Sequence, residues 1–451
     1  MSVEAVPEDQ DTSSEPIISV RNLKTVFFTE KETIRAVDGI AFDLHPGETI
    51  GIVGESGSGK SVTARSLMRL IKSPGQLMPG SSLRFFELET VREFAAQFPG
   101  RTVDIQSLER RYEPREILND PSVDVTYQEF GYDDPGELTV ADLVAAGYTD
   151  EMGLVDGDDC IFVTDGDPSS PESISAGFIE ITRLSGKPQR LMRGGRIAMV
   201  FQDPLTSLNP VYTVGNQIKE ALKLHQGLTG NDATNEAADL LESVGIPDAR
   251  RRLTEYPHQF SGGMRQRVVI AMALACDPEV LICDEPTTAL DVTIQAQIIE
   301  LLDDIQEEQD IAIIFITHDM GVIARVADRV NVMYAGEIVE QANVYSLFQN
   351  PKHPYTKGLL EAIPGVQSGE RLKTIDGNVP TPNEPASYCR FAPRCPNAFD
   401  DCDRVHPVHV QVGDGEDDHT AACLLYPEEM DRRTRVDYHE REHQDQEVRR
   451  E

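Results

Sequence analysis

One octapeptide, Gly54-Glu55-Ser56-Gly57-Ser58-Gly59-Lys60-Ser61, constrains the fold more than any other stretch of the chain. It fits the pattern of four free positions between a glycine and Gly-Lys-Ser. The apolar run Thr49-Ile50-Gly51-Ile52-Val53 before it reads as a buried strand, and the apolar spacing from Ser61 to Ile71 suits a helix. A strand, a glycine-rich turn and a helix in that order make an anion cradle. Glycines let the backbone curl so that successive N–H groups point inward, and the helix N-terminus adds partial positive charge. Lys60 would place a full charge on the outer phosphates of a nucleotide, and Ser61 a hydroxyl on Mg²⁺.

Three further apolar runs end in groups suited to the same chemistry. Val280-Leu281-Ile282-Cys283 releases Asp284-Glu285, two carboxylates at the C-terminal end of a strand, where open α/β sheets place ligands. Asp284 is the expected Mg²⁺ holder, and Glu285 the general base for an attacking water. Ile311-Ala312-Ile313-Ile314-Phe315-Ile316 runs into Thr317-His318-Asp319, placing His318 within reach of a γ-phosphate. Ile197-Ala198-Met199-Val200-Phe201 ends at Gln202, a neutral amide able to touch Mg²⁺ or the water. Between them lies a second glycine turn, Phe260-Ser261-Gly262-Gly263-Met264-Arg265-Gln266-Arg267.

This set resembles the ATP-binding subunit of an ABC transporter over about residues 17–75 and 190–425. Lys60 and Ser61 match the Walker A positions, Gln202 the Q-loop, and Ser261-Gly262-Gly263-Met264 the signature motif. Asp284 and Glu285 match Walker B, Asp291 the D-loop and His318 the switch histidine. The resemblance implies an α/β P-loop NTPase (RecA-like) core with an antiparallel β subdomain and an α-helical signature subdomain at about 205–275. It also implies two subunits sandwiching two ATP molecules, with Ser261, Gly262, Gly263, Met264 and Asp291 acting on the other subunit's ATP. The adenine-stacking aromatic is expected at Phe27 or its neighbour Phe28, although core packing explains either ring about as well.

The branch resembled is the dipeptide/oligopeptide/nickel importers. Its marks are Met264 after Ser-Gly-Gly, Gln202-Asp203-Pro204-Leu205-Thr206-Ser207-Leu208-Asn209-Pro210, Tyr256-Pro257-His258-Gln259-Phe260 and Pro351-Lys352-His353-Pro354-Tyr355-Thr356. Partners implied are two membrane permease subunits, a second ATPase subunit forming a heterodimer and, indirectly, an extracellular substrate-binding protein. The location implied is peripheral, on the cytoplasmic face of the membrane. The rival reading is a soluble ABC-type ATPase not coupled to transport. A single ATPase unit without a heptad run opposes it.

Of seven cysteines, Cys389, Cys395, Cys402 and Cys423 gather in a turn-rich C-terminal extension, residues 346–426. Their C-x5-C-x6-C spacing is not that of a zinc ribbon. Four thiolates in a core-poor segment suit an iron–sulfur cluster, and members of the resembled branch carry [4Fe–4S] at such cysteines. Zinc and four free thiols remain alternatives.

The net charge of −36, from 41 basic and 77 acidic residues, argues against nucleic acid as a partner because phosphates would be repelled. The composition resembles that of proteins from salt-loving archaea, in which molar salt shrinks the Debye length to ~3 Å and removes self-repulsion. No signal peptide is expected at the acidic N-terminus, and residues 1–16 read as disordered. No apolar run approaches the ~18 residues a membrane span needs. Lys60 and Gln202 stand 142 positions apart, more than in the resembled branch. We therefore expect an acidic, small folded insertion at about 87–176, with short strands at Val123-Asp124-Val125-Thr126-Tyr127 and Cys160-Ile161-Phe162-Val163. Either Ser81–Phe86 or Gly177–Ile181 is the strand that leads on toward Gln202. The charged tail, 427–451, is expected to be disordered.

Overall fold

The computed structural model describes residues 15–120, 123, 125, 127, 135–150, 152–203, 207–288, 290–363, 375–413 and 418–447. The expected disorder at 1–16 falls almost wholly outside them. The strands are β1 (Ile18–Phe28), β2 (Thr33–Leu44), β3 (Thr49–Val53), β4 (Gly75–Leu77), β5 (Ser82–Phe85), β6 (Thr102–Asp104), β7 (Ile161–Asp165) and β8 (Ala176–Glu180). They continue with β9 (Ile197–Val200), β10 (Val280–Asp284), β11 (Ala312–Thr317), β12 (Arg329–Tyr334), β13 (Glu337–Asn343), β14 (His409–Gln411) and β15 (Thr420–Ala422).

Two sheets result. One runs β14-β15-β13-β12-β3-β11-β10-β9 and is parallel from β12 to β9. Its central strands β3, β10 and β11 are buried along their whole length, as strands covered on both faces must be. Period-2 alternation splits them between two cores. Ile313, Phe315, Leu281 and Cys283 face one apolar cluster. Ile314, Ile316, Ile282, Ile50 and Ile52 face the other. The first cluster takes in the helical subdomain, Val214–His225, Gly230–Ser243 and Gly262–Leu274, through Ile218, Leu222, Leu241, Val268 and Ile270. The second holds the phosphate-loop helix Lys60–Leu67 and the other sheet, β2-β1-β5-β8-β7-β6, with β4 on β1.

Both strands considered for the approach to Gln202 exist, and they are partners. β5 and β8 pair antiparallel, Arg84 opposite Glu180 and Phe85 opposite Ile179. The insertion is therefore the connection of a β-hairpin, drawn out and folded. It contributes β6 and β7 as added strands and helices at Leu88–Gln97, Ile105–Glu109, Pro114–Leu118 and Val140–Ala145. Its own apolar cluster includes Ile105, Ile117, Leu143, Val144 and Phe162. A buried charge group fastens it to the sheet. Arg84 Nη1 lies 2.6 Å from Asp142 Oδ1 and 4.0 Å, through Nε, from Glu180 Oε2, and its guanidinium sits 4.7 Å from the Phe178 ring centre. Of the strand expected at Val123–Tyr127, residues 124 and 126 lie outside the described residues; Val123, Val125 and Tyr127 are assigned to no strand and feed that cluster.

The tail corrects a second expectation. Arg432–Glu447 is a helix, and residues 448–451 lie outside the described part. Polar groups hold it where apolar ones are scarce. Asp431 accepts from the backbone N–H of Arg433 and Thr434, capping the start. Buried His439 accepts from Val408 N at 3.1 Å, and its Nε2 lies 2.9 Å from Tyr426 O. Arg432 covers the Phe399 ring at 4.1 Å. Among the described residues no helix is long and apolar enough to cross a membrane.

Candidate active site

Register brings the scattered motifs to one edge. Val53 pairs with Thr317, Ile316 with Asp284, and Cys283 with Val200, all in parallel. The segments that follow therefore leave the sheet side by side: the phosphate loop after β3, Gln202 after β9, Glu285 after β10 and His318 after β11.

The phosphate loop is closed by backbone geometry that side chains would obstruct. Gly54 and Gly59 have φ of 155° and 109°, and a Cβ on either would strike a backbone carbonyl, that of Met333 or Ala36. Buried Ser58 sits within the loop, and Ser56 and Gly57 lie exposed at its tip. Lys60 is buried and turns back, donating to Gly54 O at 2.7 Å and Glu55 O at 3.0 Å. Burial pulls its ammonium below the usual lysine value, and the charges of Glu285, Asp284 and Glu55 oppose that fall. Ser61 Oγ donates to Asp284 Oδ1 at 2.7 Å. Burial raises the Asp284 carboxyl, with the Ser61 bond working against the rise. A hydroxyl and a carboxylate meeting in this way are the hard oxygen donors Mg²⁺ takes.

Glu285 collects the other motifs. Gln202 Nε2 donates to its Oε2 at 2.8 Å, Thr288 Oγ1 to the same oxygen at 2.9 Å, and His318 Nδ1 lies 3.3 Å from Oε1. Burial resists ionisation of Glu285, but the Thr288 and His318 bonds and the Lys60 charge outweigh it. The carboxyl lies below its ordinary range, ready to accept a proton at neutral pH. Gln202 thus touches Glu285 rather than the Ser61–Asp284 pair. Thr288 was not singled out in the sequence, although it stands three residues after Glu285.

The signature turn is built differently. Ser261 caps the helix Gly262–Leu274, its side chain accepting from Met264 N at 3.4 Å. Ser261 and Gly262 are exposed, and Gly263 lies against Ile294. Asp291 caps the next helix, accepting from Thr293 N and Ile294 N, and exposed Val292 follows it. Among the described residues no hydrogen bond joins Ser261–Met264 to the phosphate loop. Phe27 is half-buried, with its ring against Gly75, while Phe28 is 46% exposed.

The comparisons with known proteins decide the family. Residues 37–128 and 169–288 match the model described as ABC transporter, and residues 339–402 the one described as oligopeptide/dipeptide transporter, C-terminal region. A dipeptide transport ATP-binding protein of Bacillus subtilis is 41% identical over 412 residues, covering 91% of this chain and 95% of its own. The chain belongs to the ATP-binding subunits of the dipeptide/oligopeptide ABC transporter family. An oligopeptide transport ATP-binding protein of the same organism is 39% identical, covering 92% of this chain and 98% of its own. Among solved structures, a dimeric ATP-binding cassette bound to ADP and phosphate has a TM-score of 0.47 at 20% identity, covering 72% of this chain and 98% of that one. As a member of this family the chain is an ATPase, peripheral to the membrane on its cytoplasmic side. The uncoupled soluble ATPase is not favoured.

The four C-terminal thiols, Cys389, Cys395, Cys402 and Cys423, are free, and they lie near enough to influence one another's ionisation. The backbone N–H of Cys389 donates to Cys402 O at 3.1 Å. Burial, with a smaller push from neighbouring thiols, raises Cys389 strongly and Cys423 to about 12. Among the described residues no set of three His, Cys, Asp or Glu side chains is spaced to hold a single metal ion. Cysteine sulfur is the donor type that iron–sulfur clusters take.

Proposed function

We propose that the chain hydrolyses ATP in a two-subunit sandwich to drive import of di- or oligopeptides through two separate membrane permease subunits. The observation that carries this reading is the convergence of Gln202, Thr288 and His318 on Glu285, beside Lys60 and the Ser61–Asp284 pair. The phosphate loop from Gly54 to Ser61 cradles the phosphates, Lys60 exchanges its two carbonyl contacts for phosphate oxygens, and Phe27 lies against the adenine. Ser61, Asp284 and Gln202 would hold Mg²⁺, which supplies charge neutralisation at the phosphates. Glu285 takes the proton of the attacking water, and His318 stabilises charge at the γ-phosphate. Ser261, Gly262, Gly263, Met264 and Asp291 serve the partner's nucleotide.

The second ATPase subunit is a different chain, giving a heterodimer, and an extracellular binding protein hands over the peptide. Exposed Phe201, which precedes Gln202 in the chain, and exposed Val211 and Tyr212 offer apolar surface for a permease helix. Cys389, Cys395, Cys402 and Cys423 hold a [4Fe–4S] cluster, and the acidic surface suits molar salt.

Affinity purification from native membranes in molar KCl tests the assignment. Two multi-span permeases and a second ATPase are expected; recovery of the chain alone, or with ribosomal proteins, overturns transport. Iron and acid-labile sulfide assays on the anaerobically purified chain test the cluster, and their absence removes it.

A further inference from the structure

The C-terminal extension reaches back onto the phosphate loop. Arg394 directs a two-pronged contact at Glu55, Nη1 to Oε2 at 2.7 Å and Nη2 to Oε1 at 3.0 Å. The Arg394 side chain is 5% exposed, and backbone carbonyls hold it in place, Asp376 O at 2.9 Å from Nε and Ile375 O at 3.2 Å from Nη2. Its plane lies near the ring of Tyr334, which packs edge-on against Tyr355 and Phe391. Tyr355, from the helix Pro354–Glu361, accepts from Glu55 N at 2.8 Å. The remaining polar group of Glu55, its carbonyl, receives Lys60 Nζ at 3.0 Å and Ser58 N at 3.2 Å. All three polar groups of one loop residue are thus engaged, two of them by the extension.

We infer that Arg394 and Tyr355 are positioning residues for nucleotide binding, so that the C-terminal extension is part of the ATP site. A carboxylate inside an anion-binding loop repels the triphosphate unless it is neutralised, and a fork-to-fork arginine contact neutralises and orients it at once. Tyr355 fixes the first turn of the loop, where the N–H groups must aim at phosphate. The inference rests on the reading that the Gly54–Ser61 loop binds ATP.

The test is calorimetric titration of Mg·ADP into the full chain. Arg394→Ala should weaken binding about tenfold, and Tyr355→Phe about threefold, in keeping with a partly buried charge-assisted contact against a neutral one. Arg394→Ala combined with Glu55→Gln should recover most of the loss, because the uncompensated charge is gone. In turnover assays with the partner subunits, Arg394→Ala should raise KM for ATP and leave kcat within threefold; mere loss of folded protein would lower kcat at constant KM. Binding by Arg394→Ala within twofold of the parent overturns the inference, as does a double variant no better than the single one. Should Arg394→Ala fail to fold, Glu55→Gln alone decides: nucleotide binding as tight as the parent or tighter is expected, and a tenfold loss overturns it. Lys60→Ala separates the two failures, since unchanged binding there removes the loop itself as the nucleotide site.

Discussion

The two glycine turns of this protein are built to opposite specifications. Around the first, the polar side chains are tied to one another within the chain: Lys60 to the loop carbonyls, Ser61 to Asp284, Gln202 and His318 to Glu285. Around the second, Ser261 only caps its own helix, and the turn faces outward. The same chain thus carries one turn whose surroundings are assembled from its own side chains and one that leaves Ser261 and Gly262 exposed. The difference teaches that composition of a motif does not say where it acts; the partners its atoms already have do.

Glu285→Gln strikes the assembled surroundings of the first turn hardest. It should lower turnover about 10³-fold, the scale of losing a positioned general base, while ATP binding persists. Undiminished hydrolysis removes Glu285 from that role. Those surroundings should also be independent of the insertion beside them. Asp142→Ala breaks a buried pair with Arg84 and should cost about 3–5 kcal/mol in denaturant stability, with Mg·ADP affinity unchanged. A matching loss of affinity would show that the insertion shapes the site. Ser261→Arg addresses the exposed turn: turnover should fall about 100-fold, as when a transition-state donor is lost, yet nucleotide affinity of the isolated chain should hold. A parallel fall in that affinity would place the signature turn in its own chain's site.

The smallest effect concerns the seam between them and the extension. Burial holds His353 down at about 4, from an ordinary 6.5, while its Nδ1 accepts from Tyr355 N at 3.1 Å. A folded value below the unfolded one means that the unfolded chain binds more protons in this window. The stability contributed by His353 is therefore complete above pH 6.5 and lost as pH falls toward 4, by about 1.4 kcal/mol per unit. His353→Asn keeps a capping acceptor and should flatten that slope in thermal melts; an unchanged slope assigns it to other groups.

What the sequence made legible follows from these contrasts. Buried parallel strands leave continuous apolar runs, and β3, β10 and β11 are those runs; the loops after them were readable because each begins where the run stops. The tail helix was not legible, because it is held by His439, Arg432 and Asp431 rather than by an apolar stripe. Nor was the hairpin nature of the insertion, since β5 and β8 look like alternatives until they are seen to pair. Arg394 and Glu55, 339 positions apart, share no local pattern at all.

The placement of β3 has a consequence for how the protein comes into being on the ribosome. In the sheet, β3 lies between β11 and β12, and Thr49 N is held by Asp328, 279 positions later. At elongation rates of about 5–20 residues per second, roughly 15–55 s pass before those neighbours emerge. Throughout that interval the nascent chain carries the phosphate-loop motif without the sheet that shapes it, so a product truncated before β11 and β12 lacks the neighbours that hold β3 in place.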